Sequence, residues 1–144
     1  MPLPDQDEII KFIVDNFKSP RKIVEVGIGF YPDIALKLKN LYPETEILVI
    51  DLSERVEKFI NKTGGLKISV DDVTNPNIEY YYNTDLIYSI RPPIELIPDL
   101  LNISKKVNCS LIIRCLSGEF PSDIVLKYFK IYNTTRAMLL AYNI

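Results

Sequence analysis

At 144 residues with a net charge of -2 and a pI near 5.2, the chain is long enough for one domain that buries about two thirds of the surface exposed by its unfolded form. The acidic balance argues against a nucleic-acid surface, and the absence of histidine excludes His-based triads and the usual His-rich metal sites. The two cysteines, Cys109 and Cys115, would sit about 20 Å apart on one extended strand, too far to bridge.

The opening "MPLPDQDEII" lacks a basic stretch followed by an apolar core, and no apolar run approaches the ~18 residues of a membrane span. A cytoplasmic protein is expected. In "DEIIKFIVDNF", Ile9, Ile10, Ile13, Val14 and Phe17 fall on one helical face, and Ser19-Pro20 ends it. "KIVEV" then reads as a strand closed by Gly27, and "DIALKLKNL" as a helix with Ile34, Ala35, Leu38 and Leu41 on its apolar side. "EILVI" is a second buried strand. Ser53 is placed to cap a helix carrying Val56, Phe59 and Ile60, which Gly64-Gly65 stops. "LKISV" is the third strand, running into Asp71-Asp72.

The segment "TNPNIEYYYNTD" has no helical period beyond a turn or two. "LIYSI" is the fourth strand. After the prolines at 92, 93 and 98 comes a helix with Leu100, Leu101 and Ile103, then a fifth strand, "SLIIRCL", and a short helix around "SDIVLKYF". The ending "KIYNTTRAMLLAY" is two strand-like runs about Asn133-Thr134-Thr135, and a connection so short makes them antiparallel. Unbroken apolar strands alternating with helices imply a mostly parallel sheet covered on both faces. The expected fold is therefore a doubly wound α/β sandwich ending in an antiparallel hairpin, one domain over 1–144.

In "VEVGIGFYPDI", Gly27 and Gly29 follow a strand and precede a helix, as a turn needs when its N–H groups approach a ligand. A dinucleotide fingerprint would want a third glycine where Pro32 stands. Glu25, two residues before Gly27, suits a turn that binds S-adenosylmethionine (SAM); the alternative is a plain tight turn with Glu25 in solvent. Asp51 follows Gly29 by 22 residues (51 − 29), the distance at which such folds set an acid on ribose hydroxyls; the alternative, capping the next helix, could operate alongside that role. Asp71 and Asp72 end the third strand. They are either a ligand contact or an acidic turn that keeps a strand end soluble.

Glu25, Asp51 and Asp72 thus end the first three strands, where ligands of such sheets bind. With these residues and the hairpin ending, the chain resembles the class I SAM-dependent methyltransferases over nearly its whole length. "SVDDVTNP…LIYSIRPPIEL" resembles more narrowly a small archaeal group, Uncharacterised Protein Family 0146. The resemblance implies a Rossmann-like fold of the class I methyltransferase type and SAM as cofactor. It implies cofactor contacts from Glu25, Gly27, Gly29, Asp51, Leu52, Asp72, Val73 and Ser89, with Asp72 meeting the adenine amine and Val73 its ring. Tyr31 departs from the pattern, standing where such turns carry their third glycine.

Amine methyltransferases carry Asp or Asn before Pro-Pro-Tyr after the fourth strand, because its carbonyl accepts from the target amine. Here Arg91 precedes Pro92-Pro93. A guanidinium accepts nothing and suits a carboxylate or phosphate. Arg91, Pro92 and Arg114 are therefore the expected substrate contacts, for a small anionic acceptor, unless Arg91 is simply paired with Glu95 or Asp72. No catalytic acid or base is assigned. The other readings are a non-catalytic SAM- or nucleotide-binding module that completes a partner, and, third, an NAD-dependent oxidoreductase. A homodimer or partner complex is expected, with the Tyr80-Tyr81-Tyr82 crossover or the hairpin edge as contacts.

Overall fold

The structure is a computed structural model that describes residues 6–27, 32–52, 64–115, 120–134 and 138–144. Gly29, Tyr31, Thr135 and the Ser53-capped helix expected to carry Val56, Phe59 and Ile60 lie outside them. In chain order the elements are α1 (Gln6–Asn16), β1 (Lys22–Val26), α2 (Asp33–Leu41), β2 (Glu46–Asp51), β3 (Lys67–Val70), a 3-10 turn (Ile78–Tyr81), β4 (Leu86–Ile90), a second 3-10 turn (Ile94–Leu96), α3 (Ile97–Val107), β5 (Ser110–Arg114), α4 (Asp123–Leu126), β6 (Lys130–Asn133) and β7 (Met138–Tyr142).

The strands form one sheet in the order β3-β2-β1-β4-β5-β7-β6. The first five are parallel, and β7 runs antiparallel to both β5 and β6. The expected doubly wound sheet with an antiparallel end pair is the one observed. Alternation along each strand divides the core in two. Ile23, Val49, Leu86, Tyr88 and Ile112 face one side and meet Ile9, Ile13, Ile34 and Leu38 of α1 and α2. Val24, Ile50, Ile87, Leu111 and Ile113 face the other and meet Leu100, Leu101 and Ile103 of α3 together with Tyr81. Each such buried apolar side chain contributes roughly 1.5–3 kcal/mol, which is why β1, β4 and β5, covered on both faces, are mostly apolar, with Glu25 and Ser89 the polar interruptions inside β1 and β4.

Helix boundaries follow local chemistry. Pro98 sits in the first turn of α3, where its missing N–H goes unused, and Asn108 closes the helix in the left-handed conformation at φ 56°. One expectation fails at α2. Leu41, placed by periodicity on the apolar face, is 55% exposed, because the helix ends there and the chain turns. Tyr42 takes the inward place instead, buried with its hydroxyl donating to the Phe17 carbonyl. Cys109 and Cys115 are both buried and neither is in a disulfide.

Candidate functional site

β1 has β2 on one side and β4 on the other, so the chain winds outward in both directions from the β1–β4 seam. At such a switch point the connections leave a crevice beyond the carboxyl ends of the strands. Gly27 stands at its floor with φ +79°, and its N–H donates to the Ile50 carbonyl at 2.8 Å. A Cβ there would meet only the Ser89 hydroxyl, at 4.0 Å. The glycine is thus demanded by backbone conformation, not by crowding. Ser89 Oγ in turn donates to the Val26 carbonyl at 2.8 Å, tying the end of β4 to the end of β1.

Glu25 is not in solvent: it is 3% exposed, in the middle of the sheet on the face covered by α1 and α2. Its register partner on β4 is Tyr88, whose hydroxyl donates to Glu25 Oε1 at 2.5 Å. Burial raises the carboxyl from 4.5 to about 7; the Tyr88 bond opposes that rise, and the neighbouring Asp51 and Asp33 reinforce it. Tyr88 is held well above the ordinary phenol range by burial and by the carboxylate. A buried acid with two acidic neighbours and one neutral donor is poorly compensated in its charged form.

The remaining acids differ. Asp51 is half-buried at the end of β2, and Leu52 beside it is 69% exposed, an apolar side chain without cover. Asp72 is exposed, and its Oδ1 accepts from the N–H and hydroxyl of Thr74 at 2.9 and 2.7 Å, bonds that lower its pKa. Asp71 accepts from the Asn77 N–H at 3.1 Å. Both therefore do what an acidic turn does, yet Val73 between them and the crevice is buried. It lines a cleft with Val26, Gly27, Ser89, Arg91 and Pro92.

Arg91 has φ +53°, a conformation costly for a side chain with a Cβ and disfavoured before proline. Its N–H donates to the Arg114 carbonyl at 2.8 Å, which fixes the end of β4 against β5. The guanidinium is exposed, and among the described residues no ion pair joins it to Glu95 or Asp72. Arg114, its neighbour across the ladder, is 8% exposed and donates from a terminal guanidinium nitrogen to the Cys115 carbonyl at 2.8 Å. The backbones of the two arginines meet, but one side chain is in solvent and the other is inside.

The acids, Gly27 and Arg91 singled out in the sequence all lie at the carboxyl end of the sheet. Sequence reasoning missed Tyr88, read only as one apolar strand position. The signal was available: an acid two residues after Ile23 and a tyrosine two residues after Leu86 face each other if the parallel register sets Ile23 against Leu86. Among the described residues no group of three or more His, Cys, Asp or Glu could hold a metal ion, and no helix is long and apolar enough to cross a membrane.

Comparison with known proteins agrees with the geometry. The model of Uncharacterised protein family (UPF0146) matches residues 6–143, and the chain belongs to that family. A UPF0146 protein of Methanocaldococcus jannaschii is 46% identical over 124 residues, which cover 85% of each chain. Among solved structures, MtNAS in complex with MTA and tNA superposes with a TM-score of 0.71 at 14% identity; the match covers 96% of this chain and 59% of that one. The methyltransferase domain of bacterial CtHen1-CN superposes at 0.70 and 10% identity, covering 99% and 100%. The fold is that of the Rossmann-like, class I methyltransferases.

Proposed function

We propose that this protein binds SAM across the carboxyl ends of β1 to β4 and transfers its methyl group to a small anionic acceptor at Arg91. The observation that carries the reading is the carboxyl edge of β1, β2 and β3, where Glu25, Asp51 and Asp72 lie at or just past the ends of three adjacent parallel strands beside a Gly27 held at φ +79°. The residues present fit the cofactor. Leu52, uncovered, and Val73, in the cleft, supply apolar surfaces for the two sides of an adenine. Asp51 accepts from ribose hydroxyls, Asp72 from the exocyclic amine through the oxygen its own turn leaves over, and Glu25 faces the cationic methionine end. SAM, when bound, supplies an electrophilic methyl group on a sulfonium.

The chain's own part in transfer is placement. Pro92 and Pro93 stiffen the backbone beyond β4, so Arg91 presents its two-pronged donor from a fixed base. An acceptor carboxylate or phosphate bound there needs no further activation than alignment with the methyl group. Leu52 and Arg91 both lie open, and a second chain closing over them would exclude water. We therefore also propose a homodimer or partner complex; the edge strand β6, where Ile131 is exposed, is a candidate contact.

Titration calorimetry tests the cofactor reading. SAM or its demethylated product should bind and NAD should not, and Asp51→Ala should weaken binding by ~1–3 kcal/mol through the unpaired ribose hydroxyls. Equal binding of NAD, or an unchanged affinity in Asp51→Ala, overturns it.

A further inference from the structure

The proposed site leaves unexplained why its most buried acid is held by a tyrosine and not by a cation. We propose that Tyr88 is a positioning residue: its hydroxyl pins Oε1 of Glu25, so that Oε2 is reserved for the ammonium of the cofactor's amino-acid end, and a proton leaves Oε2 when that ammonium arrives. The inference rests on the SAM reading above and deepens it.

The geometry carries the positioning role. Glu25 and Tyr88 are register partners on adjacent central strands, both fully enclosed, and the bond between them uses one carboxylate oxygen. A phenol donates a hydrogen bond but neutralises no charge, so it orients the carboxyl in either protonation state. Among the described residues, the groups acting on Glu25 are Asp51 at the end of β2, Asp33 in the first turn of α2 and Tyr88 on β4. None is a cation. Without ligand the carboxyl thus holds its proton up to about pH 7. An arriving ammonium supplies the missing counter-charge, the proton on Oε2 passes to solvent, and the ion pair takes its place.

The test uses two nucleosides that share adenosine but differ in the amino-acid end: S-adenosylhomocysteine, which carries the ammonium, and methylthioadenosine, which lacks it. Calorimetry in two buffers of different ionisation enthalpy counts the protons released. S-adenosylhomocysteine should release ~0.9 proton at pH 6 and ~0.5 at pH 7, with affinity rising up to tenfold per pH unit below pH 7; methylthioadenosine should release none. Tyr88→Phe should weaken S-adenosylhomocysteine about tenfold, leave methylthioadenosine unchanged, and carry the pH dependence upward because the bond that favours the anion is gone. Glu25→Gln should remove the proton release, and it remains informative if Tyr88→Phe does not fold. Binding of S-adenosylhomocysteine with no more proton release than methylthioadenosine overturns this inference and spares the cofactor reading. Binding of neither nucleoside overturns both.

Discussion

The two ends of the parallel sheet treat charge in opposite ways. At the amino ends the charged side chains that open β1, β2 and β3 have partners. Arg21 pairs with Asp85 at 3.0 Å, Lys22 donates to the Tyr80 carbonyl at 2.6 Å and lies 3.5 Å from Glu46, and Lys67 reaches Glu46 from β3 at 3.2 Å. At the carboxyl ends Glu25 is surrounded by acids, Arg91 extends into solvent from a strained backbone, and Leu52 is uncovered. A domain whose ends differ in this way spends stability at one of them. The amino end holds the sheet together, and the carboxyl end, where the charge of Glu25 goes uncompensated, is where the proposed site lies.

Neutralising the buried acid breaks the contrast most. The folded value of Glu25, about 7, lies above the ordinary 4.5, so below pH 4.5 the group is neutral in both folded and unfolded states. Between these values the folded protein keeps a proton that the unfolded chain has lost, and stability falls as pH rises; above pH 7 the penalty is constant at about 3 kcal/mol. Glu25→Gln should therefore stabilise the protein by about 3 kcal/mol at pH 8, with no gain at pH 4, in denaturant unfolding at the two pH values. A variant no more stable at pH 8 than the native protein would mean that the carboxylate is already compensated.

A change at the amino end should act in the other direction. Lys22→Ala leaves the Tyr80 and Tyr82 carbonyls without their shared donor and should cost about 2 kcal/mol, seen as a lower midpoint in urea at every pH from 5 to 8. Arg91 gives the smallest effect. Arg91→Gly relieves the positive φ and should stabilise by about 1 kcal/mol, whereas Arg91→Ala keeps the strain, loses no partner and should melt with the native protein. A clear loss of stability in Arg91→Ala would reveal a structural bond at the carboxyl end and blur the contrast.

The general frame was legible from the sequence because it rests on periodicity, whereas the charge pairs at the amino end were not, because they depend on register between strands. The runs KIVEV, EILVI and LIYSI announce buried strands, and Ser19-Pro20 and Gly27 mark where they start and stop. The carboxyl end was legible only as a list of residue types. Whether Glu25 faces solvent or core depends on register across the sheet, which no local pattern carries. Arg91 before a proline is expected in extended backbone, and its left-handed turn is imposed by the ladder to β5. Arg114 reads as an exposed cation at a strand end, yet a buried carbonyl acceptor one residue away draws its guanidinium inside.

The position of β7 has a consequence for how the domain is made. It is inserted between β5 and β6, with Leu139, Leu140 and Ala141 buried, so β6 has no neighbour in the sheet until β7 exists. In a chain made only through Asn133, the flank of β5 and the segment that becomes β6 both lack the strand they pair with. The sheet is completed from the inside, by the strand that emerges after all the others. Both partners of β7 lie close to it in the chain, and until that strand arrives the nascent domain must keep the β5 flank from other chains.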